Sequence, residues 1–175
     1  MSNKTLQRSI LAALVVLSAD SAAGLELNGF EVRGGLTAPS AWDTGFTLGV
    51  AADLGQVWVD NLYLYPAISY QRADESERFF GTSFDLEVSS IALGAEVRYF
   101  LDDNRTGWYF GGGPYLHLLE REFVVGGARL VSSDSQEPGV TGVAGYRLGG
   151  GLFGEGRYMV VSGFNQAQVL LGFSF

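Results

Sequence analysis

The clearest alternation in the chain runs from Ala167 to Phe175. Ala167, Val169, Leu171, Phe173 and Phe175 fall on one side of an extended strand, with Gln168, Leu170, Gly172 and Ser174 on the other. Successive side chains of a strand point to opposite faces, so a period of two marks a β-strand with unlike surroundings on its two sides. Thr44–Leu54 repeats the pattern, with Phe46, Leu48, Val50, Ala52 and Leu54 opposite Thr47, Gly49, Ala51 and Asp53. Between these lie Phe30–Ala38, Asn61–Gln71, Asp85–Phe100, Trp108–Leu118, Val140–Leu148 and Gly151–Val160. No long stretch places apolar residues at the i, i+3, i+4, i+7 spacing of a helix. The spacing predicts an all-β chain of eight strands, most of about nine to twelve residues, the length a tilted strand needs to cross a bilayer.

The connections alternate in length. Gly55–Asp60, Leu101–Gly107 and Gly149–Gly150 are tight, whereas Arg72–Phe84 and Leu119–Gly139 are long and polar. Short turns on one rim and longer loops on the other are the arrangement of an antiparallel up-and-down transmembrane barrel. Pro39–Asp43 and Val161–Asn165 are short and fit that pattern less well. The second long connection is also readable as a hairpin about Gly126 and Gly127. Pro66 and Pro114 fall inside strands, where a missing N–H asks for a bulge or a skipped hydrogen bond. Apolar parity changes between Val88 and Ile91, which predicts a bulge at Ser89–Ser90 unless the strand there already projects beyond the membrane.

Alternation does not say which face is inside; size and charge do. Phe30, Val32, Leu36, Leu62, Leu64, Ile68, Tyr70, Ile91, Leu93, Val97 and Tyr99 share one parity. Gly35, Gly49, Ala51, Ala67, Ala92, Gly94, Gly111, Gly113 and Gly145 share the other, mixed with charges. An eight-strand interior has room only for side chains, so small residues belong there and large apolar ones face lipid. The lysine-rich surface expected of a soluble sheet is missing, since every basic residue after Lys4 is arginine. The inward charges predict a lumen ion-pair network of Glu31, Arg33, Glu87, Glu96, Arg98, Arg147, Glu155 and Arg157, with Asp53 nearer the rim. Four glutamates would then face four arginines, because a buried charge needs a partner. Trp42, Trp58 and Trp108 read as an interfacial belt, joined by Tyr63, Tyr65, Tyr70, Tyr99, Tyr109 and Tyr158 near strand ends.

The first residues carry a different message. Lys4 and Arg8 precede an apolar run from Ile10 to Leu17, followed by small residues up to Ala23. This reads as a secretory signal peptide over residues 1–23, cleaved after Ala23, leaving a barrel of residues 24–175 that reaches the outer membrane through the periplasm. The apolar run rises only about 12 Å as a helix, too short for a hydrocarbon core of about 30 Å. The chain has no cysteine and one histidine, which excludes disulfides and multi-histidine metal centres. A net charge of -8 argues against nucleic acid as a partner. Neither a metal nor any other cofactor is expected.

The alternating strands, the glycine-rich stretch from Trp108 to Pro114 and the terminal Val169–Phe175 resemble the small outer-membrane barrels of the OmpA transmembrane-domain and OmpX type. The resemblance covers residues 24–175 and implies a Gram-negative outer-membrane protein without enzymatic activity, serving envelope structure or surface interaction. It also implies that Val169, Leu171, Phe173 and Phe175 form the signal read by the barrel-assembly machinery. Outer-membrane lipid and lipopolysaccharide are the expected partners of a monomer, with Arg72, Arg78, Arg121 and Arg129 as candidate contacts to lipopolysaccharide phosphates. Two alternatives stay open: a lipid A deacylase and a narrow OmpW-like channel for small or hydrophobic molecules. The first needs a histidine beside a serine and a carboxylate. His117 is followed by Leu119 where the deacylase pattern has serine, and neither Glu120, Glu122, Ser132 nor Ser133 is placed by spacing to serve it. His117 therefore reads as a hydrogen-bonded lumen histidine beside Tyr115, and no catalytic residue is assigned.

Overall fold

The computed structural model describes residues 26–40, 43–79, 82–125 and 128–175. Residues 1–25, with the expected signal peptide, and Trp42 lie outside them. Eight antiparallel strands follow in chain order: β1 (Gly29–Pro39), β2 (Gly45–Asp53), β3 (Leu62–Phe79), β4 (Thr82–Phe100), β5 (Gly107–Val125), β6 (Ala128–Arg147), β7 (Leu152–Val161) and β8 (Phe164–Ser174). Each pairs with the next, and β1 closes on β8 from Glu31↔Ser174 to Pro39↔Gln166, giving a barrel without a free edge around its wall. No helix among the described residues is long and apolar enough to cross a membrane, which says nothing against crossing by strands.

Exposure along β8 decides the orientation of the wall. Val169 and Leu171 are 70% and 69% exposed, while Gln168 and Leu170 are 4% and 3%. The same division holds elsewhere: Phe30, Val32, Leu36, Leu48, Val50, Val140 and Val160 face out, and Glu31, Arg33, Thr47, Glu96, Arg98 and Arg157 face in. An apolar exterior around a polar, charged interior is the transmembrane arrangement and the reverse of a soluble barrel. Inward glycines make room for inward rings. A Cβ at Gly145 would collide with the Tyr109 ring, one at Gly172 with Phe153, and one at Gly94 with Tyr115.

The four central strands depart from the expected lengths. β3 to β6 run 18, 19, 19 and 20 residues, against 9 to 11 for β1, β2, β7 and β8. The segments Arg72–Phe84 and Leu119–Gly139, expected as loops, are mostly strand: β3 stays paired with β4 to Phe79↔Thr82, and β5 with β6 to Val125↔Ala128. Beyond Arg72 the pairing of β3 with β2 has ended, and β6 meets β7 only from Gly139 onward. Two hairpins therefore rise together past the outer rim as a four-stranded projection.

The irregularities also differ from expectation. No bulge interrupts Ser89–Ser90, since β4 keeps one register with β3 along its whole length. At Pro114 the β4–β5 pairing lapses between Gly94↔Tyr115 and Val97↔Gly112 and resumes in the same register, so a skipped step accommodates the ring. At Pro66 the β2–β3 pairing stops after Ala51↔Ala67 and resumes past the ring, where Leu54 N–H donates to the Leu64 carbonyl and Gln56 bridges Tyr63, while Pro66 keeps its register opposite Ala95 of β4. The register shift that does occur lies between Phe123 and Val124 against β6.

Candidate functional site

The strand period aims Glu31 and Arg33 of β1, Glu96 and Arg98 of β4, Arg147 of β6, and Glu155 and Arg157 of β7 at the barrel axis. They meet there as one buried cluster. Arg98 donates to Glu31 at 2.8 Å and to Glu96 at 2.5 Å. Arg33 donates to Glu96 at 2.9 Å and lies 3.5 Å from Glu155. Arg157 reaches Glu155 through Nε at 2.6 Å and Glu96 through Nη2 at 2.7 Å. Arg147 closes the inner end on Glu31. Each carboxylate thus takes at least two guanidinium groups, which is how buried charges are held at tolerable cost.

Tyrosines complete the cluster. Tyr109 donates to Glu155 at 2.8 Å, and Arg33 lies 3.4 Å from the Tyr115 hydroxyl. The Arg98 guanidinium sits over the Tyr65 ring at 4.3 Å and the Tyr109 ring at 5.3 Å; that of Arg147 stacks on Phe100 at 4.9 Å. Three carboxylates face four guanidiniums here, so ring faces supply part of the compensation that a fourth carboxylate was expected to give. Below the cluster Arg105, from the β4–β5 turn, pairs with Asp53, which also accepts from Tyr65 at 3.4 Å. Partial burial pulls the Arg105 pKa down, but the Asp53 carboxylate, with the Tyr65 and Tyr63 phenols beside it, raises it overall.

Glu87, expected as the fourth carboxylate, is not in the cluster. Because β4 carries no bulge at Ser89–Ser90, Val88 points inward and Glu87 outward, where it pairs with Arg72 at 3.0 Å with both side chains over a third exposed. The same pair accounts for Arg72, one of the four arginines expected at lipopolysaccharide phosphates. Arg121 is half-buried, and Arg78 and Arg129 stand on the outer projection. Parity corrects the aromatic belt as well. Tyr63, Tyr65 and Tyr109 are buried in the lumen, whereas Tyr70, Tyr99 and Tyr158 face outward. Trp108 faces outward against Tyr146 in an edge-on contact, and Trp58 is 85% exposed in the β2–β3 turn. Val169, Leu171, Phe173 and Phe175 all lie on the outer face of β8 and its end.

His117 is wholly buried, edge-on to Phe164, with its Nδ1 3.3 Å from Ser90 Oγ. A serine beside a histidine is the start of a nucleophile–base pair, and the sequence did not single out Ser90 for it. Ser90 shares the inward parity of Ala92, which is the residue paired across to His117, while Ser90 itself lies opposite Leu119. The remaining requirement is missing: no acidic partner meets His117 Nε2 among the described residues, and both side chains are buried. Leu119, where the deacylase pattern has serine, is buried on the same face. No described group of His, Asp or Glu side chains is arranged to hold a metal ion.

No protein-family model and no curated protein sequence matches the chain. Solved structures do. The N-terminal barrel domain of Pseudomonas aeruginosa OprF superposes with a TM-score of 0.60 at 12% identity, covering 85% of this chain and 98% of that one. Ail, the attachment invasion locus protein of Yersinia pestis, solved with the heparin analogue sucrose octasulfate, gives 0.57 at 10% identity over 84% and 97%. Neisserial surface protein A gives 0.52 at 18% over 83% and 94%. At these identities the likeness carries the architecture and no activity. The chain has the fold of the small eight-stranded outer-membrane β-barrels.

Proposed function

We propose that this protein is a non-enzymatic barrel of the bacterial outer membrane, its lumen closed by ion pairs and its outer hairpins available for contact at the cell surface. The observation that carries the reading is the interlocked cluster of Glu31, Arg33, Glu96, Arg98, Arg147, Glu155 and Arg157, in which the arginines and carboxylates of opposite walls are bonded across the axis. Eight strands leave no aqueous channel unless side chains withdraw, and these are tied to one another. The apolar exterior supports lipid as the surrounding partner. The hydrolase alternative lacks an orienting acid and an open approach to His117, and a channel would need the cluster to part.

The surface role rests on the projection of β3 to β6. Asp74, Glu75, Glu77, Asp85, Glu120, Glu122, Asp134 and Glu137 outnumber Arg78, Arg121 and Arg129 along it, so direct arginine contacts with phosphate are not its dominant chemistry. Planar-bilayer recording tests the closed lumen. The purified barrel is expected to give no stepwise current, and Arg98→Gln with Arg157→Gln to introduce one or to unfold the protein. Stable single-channel steps from the unaltered protein would replace this reading with the channel.

A further inference from the structure

Above the ion pairs the lumen turns from charged to neutral and polar. Thr37, Gln71, Ser90 and Gln166, all buried, line a cavity of about 20 Å³ together with Val88, Leu119 and Phe164. Arg72 stands at its edge with its guanidinium committed to Glu87. Two pairs are made within the layer: Thr37 Oγ1 donates to Gln166 Oε1 at 3.3 Å, and Ser90 Oγ meets His117 Nδ1 at 3.3 Å. Gln166 Nε2 places one of its two N–H donors on the Met159 sulfur at 3.0 Å. Gln71 is 5% exposed, lines the same cavity, and its Nε2 has no protein partner.

A buried amide donor calls for an acceptor, and the wall offers oxygens that retain lone pairs: Thr37 Oγ1, Gln166 Oε1 and Ser90 Oγ. A water molecule needs roughly 10–15 Å³ of such space and two to four polar partners. Both conditions hold. An unpartnered amide donor in the lining disfavours a cation, and no charged side chain other than the paired Arg72 lines the space.

We propose that this cavity is a binding site for one ordered water, which accepts from Gln71 Nε2 and donates to oxygens of the Thr37–Gln166 pair and Ser90. Gln71 is the last buried polar residue of β3 before that strand leaves the barrel wall, and Thr37 and Gln166 belong to the paired strands β1 and β8, on the other side of β2. The water thereby ties the foot of the β3–β4 hairpin to the paired ends of β1 and β8.

The test is a high-resolution crystal structure in a lipid mesophase together with nuclear Overhauser contacts between water and the Gln71 side-chain amide. The expected result is one solvent peak within hydrogen-bond distance of Gln71 Nε2 and a water cross-peak at that amide. Gln71→Met, nearly isosteric, is expected to abolish the solvent peak while keeping the Thr37–Gln166 bond. A dry cavity in the unaltered protein, or a solvent peak that persists in Gln71→Met, overturns the proposal. The unaltered protein alone decides the matter if that variant does not fold.

Discussion

Three guanidinium groups, from Arg33, Arg98 and Arg157, converge on the Glu96 carboxylate, and each is shared with a second carboxylate. Removing one partner of a buried ion pair leaves the others uncompensated, at a cost of about 3–5 kcal/mol. Glu96→Gln is therefore expected to lower the unfolding free energy in detergent by that order. Glu87→Gln, which breaks an exposed pair with Arg72, is expected to change it by less than about 1 kcal/mol. Urea titrations of both variants, followed by circular dichroism, make the comparison. Equal effects would mean that burial does not separate the two glutamates. Space is the other control at this scale: Gly145→Leu drives a side chain into Tyr109 and should displace the ring from Glu155, costing stability that Gly142→Ala, with open space around its added carbon, leaves intact.

The strands show how far alternation can be read. The eight elements, their order and the inward set Glu31, Arg33, Glu96, Arg98, Arg147, Glu155 and Arg157 follow from parity, because a one-residue slip would turn every charge toward lipid. Glu87 fails for a physical reason. Near the outer end of β4 both faces leave the membrane, so Val88 no longer reports lipid, and a change of apolar parity there mimics a bulge. The same blurring hid the extent of β3 to β6: past the rim neither face contacts lipid, and polar residues on both faces make strand read as loop. Ser90 beside His117 was illegible because cross-strand register, Ala92↔His117, is set by the whole ladder rather than by local residues. At this scale the projection is expected to be separable from the barrel. Protease added to intact cells should cut within β3–β4 or β5–β6 beyond the rim and leave a heat-resistant barrel core, read as a shifted band in unboiled gels. Loss of the core along with the hairpins would show that the wall depends on them.

For the molecule as a whole, the energetics rest on an inversion: large apolar side chains cover the outside while ion pairs and small residues fill the axis. In lipid the outer band meets a solvent as apolar as itself, and each strand of the wall is paired on both sides around a closed barrel. In water the same surface would expose a continuous apolar belt from Phe30 and Leu48 round to Val160 and Leu171. The chain contains no cysteine, so single cysteines introduced one at a time along β8 report each position cleanly. The decisive measurement is a spin-label scan from Ala167 to Phe173 in liposomes, comparing collision with oxygen, which partitions into lipid, and with a water-soluble nickel complex. The account predicts oxygen accessibility rising at Ala167, Val169, Leu171 and Phe173 and falling at Gln168, Leu170 and Gly172, with the nickel complex excluded from all of them. Labels at Val169 and Leu171 that meet the nickel complex freely, in a protein native without detergent, would contradict it.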